Sequence, residues 1–183
     1  MSENTKGKII PLSLSLVVVI LDQLTKFLVV KFIPRFSVFA DDVVIELCGK
    51  DVRRINVRNK AIAFSVGSNL SSNVRGVLFM ILPLLVVAAV YVIYFRNNDF
   101  SKLQRWAICG ILGGGIGNLI DRFFRADGVV DFIDCYFFGI LGMERWPTFN
   151  VADSAVVMCG ILFVATFLYQ LKADIKSSQH SSS

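Results

Sequence analysis

Four aspartates in the second half of the chain are the side chains best suited to acid–base chemistry: Asp121, Asp131, Asp134 and Asp153. Asp131 lies in the apolar, strand-like segment 129–132, where an isolated acid is out of place. Two carboxylates held close in a poorly solvated pocket cannot both ionise easily, so one keeps a proton while the other stays charged. Such a pair suits peptide hydrolysis, because the ionised member deprotonates a water while the protonated member assists the carbonyl. Spacing alone leaves open which two of the four acids form the pair.

Histidine chemistry is excluded by the sequence, since the single histidine is His180, close to the C-terminal end. Ser-His and Cys-His nucleophile pairs are therefore unavailable, as are zinc sites built on histidine. The four cysteines show no Cys-x-x-Cys spacing, which argues against a cysteine zinc site. A carboxylate site for magnesium or calcium stays possible but usually needs more converging acids, so we expect neither a metal nor a cofactor. A Ser–Lys pair of Ser65 and Lys60 stays open as an alternative, although nothing in their spacing singles them out.

Asp22 and Lys26 are a second pair of charged residues, and they lie within an apolar run. Acids inside a membrane are costly and need a partner or a function. A separation of four residues puts both side chains on one face of a helix. The spacing predicts a structural ion pair in which Lys26 extends toward the membrane interface.

Asparagines and an arginine accompany the candidate acids at helical spacing. Asn118, Asp121 and Arg122 are related as i, i+3 and i+4 and share one helix face. Asn150 and Asp153 share another face at i, i+3, at the predicted start of a helix. Asn150 there either caps exposed N–H groups or serves the acid pair, and both interpretations stay open.

Long apolar runs predict the helices that must position these groups. Of the 183 residues, 55% are hydrophobic and 18% are charged, whereas a soluble domain is about half apolar and a quarter charged. Gly76–Phe95 carries no charge over twenty residues, and Ser154–Leu171 carries none over eighteen. A helix needs about 20 residues to cross the roughly 30 Å hydrocarbon layer. We therefore predict an all-α membrane protein, a single domain over 1–183. Its four transmembrane helices are expected at about 9–33, 74–95, 103–121 and 149–171.

The segments between the predicted helices lie outside the membrane at 34–73 and 122–148. In the first of them, β-branched residues at 43–47 and 52–57 predict a small sheet. The Ser-rich tail, about 174–183, is predicted to be disordered.

The predicted helix order brings the candidate acids to one side of the membrane. Helix three ends near Asp121 and helix four begins near Asn150, so the loop that joins them lies on the same side as segment 34–73. Asp121, Asp131 and Asp153 therefore face one membrane surface. An even number of spans also puts both termini on a common side.

The net charge of +5 could indicate nucleic-acid binding. Here the basic residues flank the predicted spans, where they meet the headgroups of membrane lipids, so we expect no nucleic-acid partner. Lys6 and Lys8 before the first apolar run are also typical of a cleavable signal peptide. The run lacks a small-x-small cleavage site and continues past Asp22, which favours an uncleaved first span.

A small ion-coupled transporter that uses membrane acids as a proton relay is the main alternative from another class. It predicts acids near the middle of several spans and an internal repeat. Only Asp22 lies well inside an apolar run, and the sequence shows no repeat. The peptidase interpretation is therefore favoured.

Five motifs in order along residues 21–154 resemble those of the lipoprotein signal peptidases (signal peptidase II, peptidase family A8). The segment D-Q-L-T-K at 22–26 resembles D-Q-x-(S/T)-K, and N-K-A-I-A-F at 59–64 is similar to N-x-G-x-A-F. Residues 113–122 resemble G-G-x-x-G-N-x-x-D-R, 130–132 resemble V-D-F and 149–154 resemble F-N-x-A-D-S. Each motif alone is weak, but the ordered set is highly specific.

The resemblance implies a membrane aspartic endopeptidase that cleaves diacylglyceryl-modified prolipoproteins on the amino side of the lipidated cysteine. It implies that Asp131 and Asp153 are the catalytic pair, so that Asp121 becomes a supporting residue. It further implies a bacterial cytoplasmic (inner) membrane location, with cytoplasmic termini and an active site and small β-sheet on the outer side. We expect a monomer surrounded by membrane lipids. The remaining residues implied in substrate binding or support are Asn59, Asn118, Arg122, Asn150, Asp22 and Lys26.

Two departures from the family pattern concern loops. Ala61 stands where the family usually has glycine, and segment 122–148 is longer than expected near 126–128 and 138–145. Loops tolerate insertions readily. The departures bear on the shape of the substrate entrance rather than on the chemistry.

Overall fold

The computed structural model describes residues 7–34, 45–46, 52–59 and 72–181. Four long helices and three short strands make up this part of the chain, so the predicted fold class, mainly helical with membrane helices and a small antiparallel sheet, is confirmed. The helices are α1 Leu12–Phe32, α2 Ser72–Arg96, α3 Lys102–Phe124 and α4 Val151–Ser181. The strands are β1 Ile45–Glu46, β2 Val52–Asn59 and β3 Val129–Cys135, and a short 3-10 turn covers Ile140–Gly142.

The described helices have the dimensions of membrane spans. Three stretches are long and apolar enough to cross a membrane: Gly7–Phe32, Lys102–Phe124 and Val151–Ser177. Helix α2 has 25 residues, about 37 Å at 1.5 Å per residue, and contains the apolar stretch Met80–Arg96. Large apolar side chains on α1, α2 and α4 are exposed on the protein surface, as expected where lipid is the solvent.

The last helix differs from its prediction at the C-terminal end. Helix α4 continues to Ser181, so the prediction of a disordered tail from about 174 is wrong for the described residues 174–181. The end of an apolar run indicates where a chain leaves the membrane. A helix can continue beyond that point as long as its residues favour helical backbone conformation. Segment 172–181 contains no Gly or Pro, so nothing in it breaks the helix.

Helix α3 is the central helix and contacts each of the other three. Its run of glycines makes this possible, because a methyl group added at each position would collide with a different neighbour. The added methyl would lie 2.8 Å from Ser15 Cα of α1 at Gly113, and 2.6 Å from Val87 Cγ2 of α2 at Gly115. At Gly114 it would overlap the backbone carbonyl oxygen of Ala152 in α4. Small residues allow close approach of membrane helices, and here they do so on three sides of one helix.

The sheet combines strands from both of the segments that were predicted to lie outside the membrane. Its strand order is β1-β2-β3, antiparallel throughout, with Val57 opposite Asp131 and Asn59 opposite Val129. The prediction that the sheet comes from the first segment was therefore incomplete, since β3 comes from the second. Val130 and Phe132 of β3 form a buried apolar cluster with Val29 and Ile33 at the end of α1.

The chain returns from β3 to α4 through a second antiparallel contact. The backbone N–H of Ile133 donates to the carbonyl of Phe149 at 2.9 Å, and the N–H of Phe149 donates to the carbonyl of Ile133 at 3.0 Å. Phe149 immediately precedes Asn150. The strand that carries Asp131 is thus hydrogen-bonded to Phe149, two residues before α4 begins.

Candidate active site

Asp153 lies in the first turn of α4, where its position is set by Asn150. The backbone N–H of Asn150 donates to Asp153 Oδ2 at 3.1 Å, and the N–H of Asp153 donates to Asn150 Oδ1 at 2.9 Å. This is the reciprocal arrangement of a capping box, with Asn150 as the N-cap. The capping interpretation of Asn150 is therefore confirmed, and it also fixes the carboxylate of Asp153.

Asp131 reaches the same asparagine from β3. Its side chain is 3% exposed, and Oδ1 accepts a hydrogen bond of 2.8 Å from Asn150 Nδ2. Asn150 itself is fully buried. One asparagine thus contacts both carboxylates, donating to Asp131 with its side chain and to Asp153 with its backbone.

Asn118 of α3 links this arrangement to the core of the protein. Its Nδ2 donates to Asp153 Oδ1 at 2.7 Å. Its Oδ1 accepts from Asn150 Nδ2 at 3.1 Å and from Lys26 Nζ at 2.9 Å. With both ends of the amide engaged, the side chain is held in one orientation.

Lys26 does not extend outward from the protein as predicted, because its side chain is directed into the interior. Its ammonium group lies 2.8 Å from Asp22 Oδ2 and 3.0 Å from Asp121 Oδ2, and all three side chains are fully buried. The predicted ion pair with Asp22 is therefore present, but it is directed inward. A buried lysine needs compensating charge and hydrogen bonds, which two carboxylates and the amide of Asn118 supply.

Arg122 lies in the last turn of α3 and brings a further positive charge to the candidate acids. It donates from Nη1 to the carbonyl of Asn118 at 3.3 Å. It is also close enough to interact electrostatically with Asp153, Asp131 and Asp121. The site therefore brings the positive charge of Arg122 close to all three acids.

Asp134 points away from this group. Its Oδ2 lies 2.6 Å from Arg145 Nε, in a pair outside the cluster around Asn150. Side chains alternate between the two faces of a strand, so residues three apart, such as Asp131 and Asp134, point to opposite faces. Of the four acids that spacing left open, the fold brings Asp121, Asp131 and Asp153 together and separates Asp134.

Two residues of the first extramembrane segment can be placed only in part. The backbone of Asn59 pairs with Val129 in β3, two residues before Asp131, whereas its side chain lies outside the described residues. Ala61, Lys60 and Ser65 also lie outside them.

Gln23 and Arg125 also belong to the site and were not among the residues predicted from the sequence. Gln23 Nε2 donates to Asp22 Oδ2 at 3.1 Å and to Asp121 Oδ1 at 3.3 Å. Arg125 Nε lies 2.8 Å from Asp121 Oδ1. The signal for Arg125 was present, because it follows Asp121 by four residues on the same helix.

Taken together, the apolar helices and the buried group of acids, amides and cations define a membrane protein with a buried polar site among its helices. The family described as Signal peptidase (SPase) II, Peptidase_A8, matches residues 14–169. Because the match spans most of its length, the chain belongs to this family of membrane proteases.

Individual relatives agree with this assignment. The lipoprotein signal peptidase of Treponema denticola is 49% identical over 158 residues, which cover 86% of this chain and 88% of that protein. The lipoprotein signal peptidase of Treponema pallidum is 45% identical over 167 residues, covering 91% and 87%. A lipoprotein signal peptidase of Borrelia hermsii is 43% identical, covering 88% of this chain and 89% of that protein.

Solved structures of bacterial membrane enzymes share the fold. One superposes with a TM-score of 0.72 at 25% identity, covering 88% of each chain. Another gives a TM-score of 0.70 at 26% identity, covering 86% of this chain and 92% of the other.

Proposed function

We propose that this protein is an aspartic endopeptidase that removes the signal peptide from diacylglyceryl-modified prolipoproteins. Cleavage occurs on the amino side of the lipidated cysteine, and Asp131 and Asp153 are the catalytic pair. The observation that carries this proposal is the contact of both carboxylates with one buried residue, Asn150, whose side chain donates to Asp131 and whose backbone N–H donates to Asp153. The names of the relatives support the choice of substrate.

The proposed reaction needs one proton shared between the two aspartates. The ionised carboxylate removes a proton from water, and the resulting hydroxide attacks the carbonyl carbon of the scissile peptide bond. The protonated carboxyl group donates its hydrogen to the carbonyl oxygen. As the tetrahedral intermediate collapses, the C–N bond breaks and the amine of the cysteine leaves with a proton from the pair.

The surrounding residues have matching roles in the proposal. Asn118 and Asn150 donate hydrogen bonds that orient the carboxylates, while Arg122 stabilises the negative charge on the pair. Asn59 binds the substrate from the first extramembrane segment. Asp121 is a supporting residue rather than a member of the pair, because Lys26, Arg125 and the backbone N–H of Val130 occupy its oxygens.

The substrate reaches the site from the lipid phase in this proposal. Its diacylglyceryl group anchors it in the membrane, and most of the apolar part of α4, which carries Asp153, is exposed on the protein surface. We place the protein in the bacterial cytoplasmic membrane as a single domain with both termini in the cytoplasm and the site near the outer face. It acts as a monomer without a cofactor.

The proposal is tested with purified protein, a diacylated prolipoprotein and a gel-shift assay. Asp131→Asn and Asp153→Asn should each abolish processing while thermal unfolding stays close to that of the wild type. Asp99→Asn, an exposed aspartate in the loop between α2 and α3, is the matched control and should process normally. Full activity of either the Asp131→Asn or the Asp153→Asn variant would refute the assignment. If Asp121→Asn alone were inactive, Asp121 would instead belong to the catalytic pair.

A further inference from the structure

The buried charges behind the candidate pair form one connected unit, which we call the Asp22–Lys26–Asp121 cluster. Lys26 Nζ lies 2.8 Å from Asp22 and 3.0 Å from Asp121, and the three side chains have no exposed surface. A substrate cannot touch them. The three side chains can therefore affect the reaction only through the residues to which they are hydrogen-bonded.

Each carboxylate of the cluster also holds one backbone amide. Asp22 Oδ1 accepts a 3.0 Å hydrogen bond from the N–H of Ala152, and Asp121 Oδ2 accepts a 3.1 Å bond from the N–H of Val130. Ala152 immediately precedes Asp153, and Val130 immediately precedes Asp131. Both candidate catalytic residues are thus anchored one residue upstream, to two acids that share one lysine.

We infer that Lys26 couples the positions of Asp131 and Asp153, so that the spacing of the pair is set by the Asp22–Lys26–Asp121 cluster. This inference deepens the proposed function and rests on it for its catalytic meaning. If β3 or the first turn of α4 moved, one carboxylate would be drawn away from a buried ammonium group. Separating buried opposite charges is strongly unfavourable, so the two segments hold each other in place.

Lys26 also restricts the amide that lies between the cluster and the pair. Its 2.9 Å hydrogen bond to Asn118 Oδ1 requires the oxygen of that side chain to face α1. Nδ2 must then face Asp153, to which it donates at 2.7 Å. The lysine therefore acts on Asp153 along two routes, through Asn118 and through Asp22 with Ala152.

The coupling predicts an effect that a merely stabilising ion pair would not produce. Asp121→Ala removes the acceptor of the Val130 amide, but it should also accelerate hydrogen exchange at the Ala152 amide, which Asp121 does not contact. Asp22→Ala should have the reciprocal effect on Val130. Selective ¹⁵N-alanine and ¹⁵N-valine labelling of the protein in detergent micelles measures both amides without any substrate.

The kinetic expectation is a fall in kcat of about 10²-fold in each variant, since a displacement of about 1 Å in a catalytic group can cost that much. KM should stay within about threefold, because no cluster atom reaches the substrate. Asp22→Asn and Asp121→Asn, which keep a carbonyl acceptor for the amides, should recover part of the activity and also serve if the alanine variants do not fold. Lys31 is an exposed lysine of the same helix, so Lys31→Met is the control. It should change neither the hydrogen exchange of the two amides nor kcat.

The outcomes separate this inference from the proposed function. If each alanine or asparagine variant changes hydrogen exchange only at the amide to which the substituted aspartate was bonded, the coupling is refuted. The same holds if kcat is unchanged in variants with disturbed amides. If the wild type fails to cleave a diacylated prolipoprotein, the proposed function fails, while reciprocal changes at both amides would still support the coupling.

Discussion

Asn150 and Asp153 hydrogen-bond to each other's backbone at the start of α4, at 3.1 and 2.9 Å. The side-chain amide of Asn150 meanwhile donates to Asp131 at 2.8 Å. The first contact pair is a helix cap and the second is a bridge between the candidate acids. The cap and the bridge use different atoms of Asn150, so a substitution can keep one and remove the other.

Asn150→Ser should keep the cap and lose the bridge. Serine is a good N-cap residue, so thermal unfolding should stay close to that of the wild type. Without Nδ2, processing should fall by about 10²-fold or more, in the range of an acid–base contribution. Asn150→Ala should lose activity as well and be destabilised by about 1 kcal/mol, the usual cost of a lost cap. Normal processing by the serine variant would show that the bridge is dispensable.

Asn118→Ala should lower kcat rather than binding. Asn118 donates to Asp153 at 2.7 Å and accepts from Lys26, so its loss disorients a candidate catalytic group. We expect kcat to fall by about 10²-fold with little change in KM. Steady-state kinetics on a lipidated peptide measures both, with Asn98→Ala, an exposed asparagine between α2 and α3, as the control. A rise in KM at unchanged kcat would instead assign Asn118 to substrate binding.

Gly114→Ala should disturb the site through the backbone of α4. A methyl group at this position would overlap the carbonyl oxygen of Ala152 and lie 2.7 Å from Val156 Cγ2. Overpacking of this kind costs about 1–3 kcal/mol and displaces the turn that carries Asp153. Thermal unfolding and processing should both decrease. Gly160→Ala, where nothing lies within 4 Å of the added methyl, should behave like the wild type; equal losses in both variants would exclude this explanation.

Asp134→Asn should retain most processing activity although Asp134 lies on the same strand as Asp131. Its carboxylate is paired with Arg145 and faces the other side of β3. Loss of this partly exposed ion pair should lower the free energy of unfolding by about 1 kcal/mol at most. Chemical unfolding and the gel-shift assay test the two statements separately. A folded but inactive variant would mean that the acids of β3 were assigned the wrong way round.

The helix order inferred from the sequence predicted that Asp121, Asp131 and Asp153 lie near one another, but not which partner each has. Chemistry alone could not separate Asp121 from Asp131, since both are acids in apolar surroundings. The difference lies in their partners: Asp121 binds two cations and the Val130 amide, whereas Asp131 contacts Asn150. Such partners come from other elements of the fold, and local spacing cannot reveal them.

Contacts over long separations were the least predictable features. Strand β3 pairs with β2 across sequence separations of 70 to 83 residues, so the pairing leaves no trace in local alternation. The inward direction of Lys26 was also missed, because spacing to Asp22 indicates a shared helix face but not what that face meets. By contrast, apolar runs are local and predicted the helices of the membrane domain to within a few residues, apart from the end of α4.

The central place of α3 has a consequence for biogenesis. Among the three stretches that are long and apolar enough to cross a membrane, α3 is the least apolar, and most of it is buried by protein. A newly made α3 would bring Asn118, Asp121 and Arg122 into lipid with no partner for them if it entered the bilayer alone. Helix α1, which is synthesised earlier, carries Asp22 and Lys26. Because α1 precedes α3 in the chain, Asp22 and Lys26 are made before α3, whose polar residues need them as partners.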